Sequence, residues 1–295
     1  MTEQGEPKNQ PQGPNDEAIE AWNTVLFDKW SRFRRVVCDA LAVHGDAAMA
    51  KLPLRPGMSV LDVGCGFGDT SLQLAQKVAP SGKVVGVDAA PRFIEAAKGE
   101  STERGVGNAE FRVADVQSDS LGGPYDAAFS RFGTMFFASP VAALRNVRKS
   151  LKEGAPLAMV VWRAKVDNEM FRLAEECTKA IVQVVEDENA PTCGPGPFSL
   201  ANPQVLTDIL TASGFGDIEL ARNDVDLFVG ERIDDAIEFA LELGPAGEVI
   251  RLAGKEGARL RPQVAAALRE AFAGFVRDDG VYGPSSTWLV TARAV

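Results

Sequence analysis

Three glycines at alternate positions, Gly64, Gly66 and Gly68, follow the apolar run Val60-Leu61-Asp62-Val63. Glycine accepts a positive φ and leaves bare backbone for a ligand to approach, so the segment reads as a turn built around a bound molecule, with Asp62 and Cys65 beside it. A second acid, Asp88, closes the run Val84-Val85-Gly86-Val87, 26 residues beyond Asp62, and Ala89 follows it. A carboxylate at such a strand end can accept both hydroxyls of a ribose. A third acid, Asp115, stands between Ala114 and Val116, where it can accept from the exocyclic amine of adenine. The dinucleotide turn G-x-G-x-x-G would need glycine at 69. The chain has Asp69 there, a charge that opposes a pyrophosphate at a helix N-terminus. The G-x-G-x-G spacing suits a ligand with no phosphate.

To bring three acids to one crevice, the chain needs adjacent parallel strands that end together. Apolar runs at 59–63, 83–87, 109–114, 125–130 and 156–162 supply them, and helical patterns at 69–78, 91–104 and 140–151 alternate with them. Alternation of this kind predicts a doubly wound α/β sheet covered on both faces. Upstream, Trp22, Val25, Leu26, Trp30 and Phe33 recur at helical spacing. Downstream, the sequence predicts helices at 168–188, 203–213, 234–243 and 262–277, extended chain at 217–229 and a last strand at 287–292, with no internal repeat.

Together, VLDVGCGFG, VVGVD and ADV resemble the class I S-adenosylmethionine-dependent methyltransferases, and the segment from Tyr125 through Phe137 to Pro140 resembles their small-molecule branch, which acts on quinones and natural products. The resemblance implies a Rossmann-like sheet of about seven strands with a terminal antiparallel strand. It implies S-adenosyl-L-methionine as cofactor and S-adenosyl-L-homocysteine as product. It assigns the methionine part to Gly64, Cys65, Gly66 and Gly68, the ribose to Asp88, and the adenine to Asp115, with Ser130 beside the sulfonium. Trp22, Trp30, Phe132, Met135 and Phe136 then fall on the acceptor side. The organisation to expect is a disordered tail at 1–17, a helical lid at 18–50, the cofactor-binding core at 51–164, and helical cap insertions with the last strands of the same sheet at 165–295.

The remaining residue types narrow the function. Lys and Arg total 31 against 41 Asp and Glu, a net charge of −10 that argues against nucleic acid as acceptor, as does the absence of an Asn-Pro-Pro-Tyr type of signature after the fourth strand. Four scattered cysteines and one histidine predict no metal site and read as reduced thiols in a cytoplasmic protein, and no apolar run is long enough for membrane insertion. His44 is the only imidazole and so a candidate general base, although a place before Gly45 at a helix end suits an ordinary, partly exposed histidine. Arg131 is a candidate anchor for an acidic acceptor, while Arg32, Arg34 and Arg35 read as a solvated face. The expected function is in-line methyl transfer to a small, largely apolar molecule. Its rivals are a non-catalytic cofactor-binding regulator and a nicotinamide-dependent oxidoreductase. Neither the acceptor nor the oligomeric state is specified by the sequence.

Overall fold

The structure is a computed structural model that describes residues 15–183 and 195–295. Five apolar runs form the parallel part of one sheet: β1 (Ser59–Val63), β2 (Lys83–Asp88), β3 (Ala109–Val113), β4 (Ala127–Arg131) and β5 (Pro156–Trp162). Val60, Leu61, Ala127, Ala128 and Val160 are fully buried, and cover on both faces is what makes continuous apolar runs favourable as strands. Two long strands extend the sheet: β8 (Gly280–Ala294) pairs antiparallel to β5, β6 (Phe215–Gly230) pairs antiparallel to β8, and the two-residue β7 (Val276–Arg277) also pairs β8, giving the order β3-β2-β1-β4-β5-β8-β6. The chain leaves β1 in one direction and returns to β4 in the other, so a crevice opens at the carboxyl ends of those two strands.

Three short helices precede the sheet: α1 (Asp16–Ala21), α2 (Phe27–Arg32) and α3 (Leu41–Met49), joined through π-helical turns at Trp22–Leu26 and Arg35–Ala40. Helices α4 (Asp69–Val78), α5 (Pro91–Glu103) and α6 (Pro140–Lys149) connect the parallel strands at the predicted places. Beyond β5 come α7 (Glu169–Ile181), α8 (Pro203–Ala212), α9 (Ile233–Glu242), α10 (Pro245–Leu252) and α11 (Gly254–Ala271). Among the described residues, no helix is long and apolar enough to cross a membrane.

Several expectations need correction. Asp16 and Glu17, placed in the tail, open α1, and residues 1–14 lie outside the described residues. The helix expected to reach 188 stops at Ile181, and residues 184–194 are likewise outside the description. The last strand begins at Gly280 rather than 287, because its first half pairs with the far end of β6 from Asp224↔Ser286 to Gly230↔Val281. The last strands thus extend beyond the sheet as a two-stranded ribbon on which α7 and α9 pack. Helix α11 starts eight residues before Pro262 and carries that proline inside, at the cost of one intrahelical hydrogen bond.

Candidate functional site

The glycine turn is tied to the end of β2. Gly64 and Cys65 both donate their N–H to the Val87 carbonyl, at 2.9 and 3.0 Å, and Gly66 donates to Asp88 Oδ2 at 3.0 Å. Asp88 Oδ1 accepts from Ala90 N–H at 3.0 Å, and burial raises the Asp88 carboxyl above its ordinary range, opposed by these backbone donors. Gly64 has φ +68°, and a Cβ there would lie 2.9 Å from Gly133 Cα on the loop after β4. The turn thus needs glycine for conformation and for space at once.

One cavity collects these groups. Gly64, Cys65, Gly66, Asp88, Ala89, Ala114, Asp115 and Val116 line its sheet side, and Trp22, Trp30, Phe132, Phe136 and Phe137 line it from the helices and the loop after β4. The aromatic side is a continuous cluster. Trp22 meets Trp30, Phe136 and Phe93 edge-on at centroid distances of 5.3, 4.9 and 6.3 Å, and Phe27 joins Phe67 and Phe93 beneath.

The chain matches a family described as "Methyltransferase domain" over residues 54–201, half its length and the stretch that builds this cavity floor. The chain belongs to that methyltransferase family, with S-adenosylmethionine as its cofactor. Among curated relatives it is 28% identical to nocamycin O-methyltransferase of Saccharothrix syringae over 183 residues, 59% of this chain and 64% of that protein. It is 40% identical to 2-heptyl-1-hydroxyquinolin-4(1H)-one methyltransferase of Mycobacteroides abscessus over 182 residues, 61% of this chain and 63% of that one. The chain thus spans just under two thirds of the length of these two relatives. In fold it is similar to the YcgJ protein of Bacillus subtilis, with TM-score 0.54 and 17% identity over 86% of this chain and 97% of that chain.

Five predicted site residues lie away from the cavity lining, four of them within the matched domain and the fifth, His44, ahead of it. Asp62 is fully buried and its Oδ2 accepts from Thr70 and Ser71 hydroxyls at 2.7 and 2.6 Å, tying the strand to the first turn of α4, while burial pushes its carboxyl up to about 6. Gly68, φ +83°, caps α4, and a Cβ there would meet Ala97 Cβ at 2.8 Å, so it serves close packing. Ser130 donates to the Val63 carbonyl at 2.7 Å and clamps β4 to β1. Met135 is 1% exposed, behind the wall, with its sulfur accepting from Trp162 N–H.

His44 is corrected most. It is inside α3 and fully buried, with Nε2 2.9 Å from Ser285 Oγ and Nδ1 2.7 Å from Asn223 Nδ2, and burial lowers its pKa to about 4. The Asn223 amide donates to Nδ1, so Nε2 carries the ring proton and donates to Ser285. Phe132, a non-glycine residue at φ +62°, stands between His44 and the cavity, stacked on Trp162 at 4.5 Å.

Arg131 does line the cavity, but its guanidinium is spent on Asp69 at 2.5 Å and on the Cys38 carbonyl at 3.3 Å. The Asp69 charge is thereby balanced, so the family match, rather than that charge, removes the nicotinamide reading. The arginines read as a solvated face are cross-links: Arg32 to Glu238, Arg34 to Glu100 and Arg35 to Glu231, with Arg34 also over the Phe67 ring at 4.9 Å. Sequence reasoning missed Asn15, Ile19, Val37, Cys38, Phe67 and Phe93 as cavity residues. Only Phe67 carried a local signal, since it sits inside the glycine turn itself. Burial, with Asp69 nearby, pushes the Cys38 thiol up to about 12, so it stays protonated.

Proposed function

We propose that the chain transfers a methyl group to a small, largely apolar acceptor. The observation that carries this reading is the single cavity in which the glycine turn, Asp88 and Asp115 face Trp22, Trp30, Phe136 and Phe137. The residues fit the cofactor: Gly64 and Gly66, both at positive φ, leave a side-chain-free cradle suited to its methionine part, and Asp88 and Asp115 line the same cavity with carboxylates able to accept from a ribose and an adenine. When bound, S-adenosylmethionine supplies an activated sulfonium methyl that an acceptor atom can displace in line. The protein's work is then to hold the acceptor against that methyl and exclude water, which the aromatic side of the cavity is shaped to do.

The titratable groups at or behind the cavity wall are already committed. Asp88 takes backbone N–H groups, Asp115 takes Gln117 N–H and the Asn15 amide, Asp69 takes Arg131, the Cys38 thiol is held protonated, and His44 lies outside the cavity in its neutral form. Among the described residues this leaves no base beside the acceptor, so the acceptor's own acidity governs the reaction and an acidic hydroxyl suits the site best. The names of the hydroxyquinolinone and nocamycin relatives support a small acceptor. The net charge of −10 supports the exclusion of nucleic acid, and free thiols at Cys38, Cys65 and Cys177 support a cytoplasmic location. Within the lid expected at 18–50, the part ahead of α3, whose His44, Ala48 and Met49 are buried, is proposed to close over the acceptor together with helices of the cap at 165–295. Incubation with methyl-labelled cofactor and a cell extract should place the label in the organic-soluble small-molecule fraction. Label in RNA, DNA or protein would contradict the reading.

A further inference from the structure

Asn15 immediately precedes α1, a position where an asparagine side chain ordinarily accepts from the helix's first free N–H groups. Here it makes no capping bond. Its amide turns into the cavity instead, where Nδ2 donates to Asp115 Oδ2 at 3.1 Å. Asp115 Oδ1 is occupied by Gln117 N–H at 2.9 Å, so Oδ2 is the oxygen facing Asn15. The opposite end of the amide, Asn15 Oδ1, is buried and has no hydrogen-bond partner among the described residues. A buried acceptor without a donor is unfavourable, which marks a place for a donor that a ligand would bring. The amide cannot turn over to relieve it, because its oxygen would then face the Asp115 carboxylate.

The geometry points to Asn15 as an adenine-reading residue carried on the N-terminal strap, a role that rests on the S-adenosylmethionine reading of the cavity. An exocyclic amine carries two N–H groups, and the site offers two acceptors for them, Asp115 Oδ2 and Asn15 Oδ1. With Nδ2 held by Asp115, Asn15 presents Oδ1, the atom by which an asparagine accepts from the exocyclic amine of adenine. Ala18, Ile19 and Trp22 of the same strap line the cavity, so adenine recognition and placement of the aromatic wall are mechanically joined. Because Asp115 fixes which end of the amide faces the ligand, the pair accepts an amine and rejects a carbonyl oxygen at the same position.

The test is calorimetric titration of the full chain with S-adenosylhomocysteine and with its deaminated analogue S-inosylhomocysteine, in which a carbonyl oxygen replaces the amine. The wild-type chain should prefer the adenosyl ligand. In Asn15→Ala that preference should shrink roughly three- to tenfold, the loss of one neutral hydrogen bond. Both ligands are measured on the same variant, so any general loosening of the strap cancels in the ratio. A preference unchanged in Asn15→Ala overturns the role of Asn15 while leaving the cofactor reading intact. No binding of S-adenosylhomocysteine to the wild-type chain overturns that reading and this one together.

Discussion

The two walls of the cavity are held by different forces. On the sheet side, the turn from Gly64 to Gly66 is fixed by backbone hydrogen bonds to Val87 and Asp88, and the residues behind it, Asp62 and Ser130, are fully buried and bonded. On the helix side, rings meet at their edges, and of the ion pairs that hold the helices down, Arg92 to Asp28, Arg32 to Glu238 and Arg35 to Glu231 have both partners well exposed, while Lys29 to Glu242 and Arg34 to Glu100 are partly buried. Exposed pairs of this kind are worth about 0–1 kcal/mol each. The helix wall is thus held by side-chain contacts, whereas the sheet wall is held by buried backbone bonds. Under the proposed function, cofactor affinity falls mainly to the sheet wall, with Asn15 as the contribution from the helix side, and acceptor handling and closure fall to the helix wall.

The largest expected effect breaks the sheet wall. In Gly64→Ala the left-handed backbone alone costs about 1–2 kcal/mol. The new Cβ would also lie 2.9 Å from Gly133 Cα, where no flexible side chain can give way. Cofactor binding should be abolished, with Tm lowered; normal binding by calorimetry would show that the turn is not built as described.

A change on the helix wall should separate the two functions. Phe136→Ala removes a ring 4.9 Å from Trp22 on the acceptor side, so methyl transfer should fall at least tenfold while S-adenosylhomocysteine affinity changes by less than threefold. Hydrogen exchange at residues 18–45 should slow when cofactor is added, as expected of a wall that orders on binding. Equal losses of transfer and binding would merge the two walls into one.

A smaller effect marks how far the site extends behind the sheet wall. His44 has its pKa lowered to about 4 in the fold against an ordinary 6.5, so between those values the unfolded chain binds more protons than the folded one. Its contribution is fully present above about 6.5 and is lost as pH falls toward 4, on the order of 3 kcal/mol in all. His44→Gln should flatten the dependence of stability on pH in that window and leave the pH profile of methyl transfer unchanged. A shifted transfer profile would place His44 in the reaction.

The parts of this picture legible in the sequence are those written in a few consecutive residues. A glycine turn with positive φ and acids at the ends of apolar strands signal their roles locally, and Gly64, Gly66, Asp88 and Asp115 all line the cavity. Asp62 and Ser130 lie in equally telling runs but turn inward, because strand neighbours alternate between faces and the inward one finds a bonding partner in the core. His44 and Asn15 were illegible for a different reason. Their partners, Ser285 for one and Asp115 for the other, lie far away in the chain, and only the tertiary fold brings them together. The first half of β8 is illegible for the same cause, since the stretch with Ser285 and Ser286 becomes strand only through its pairing with β6.

The division between the walls rests on Asp88, which accepts from the turn and from the start of α5 while facing the cavity. Calorimetry of S-adenosylhomocysteine on the wild-type chain and on a folded Asp88→Ala variant tests it most directly. The account predicts saturable binding to the wild-type chain and an affinity at least about tenfold lower in the variant, the equivalent of one charge-assisted hydrogen bond. No binding to the wild-type chain, or the same affinity in both, would contradict it.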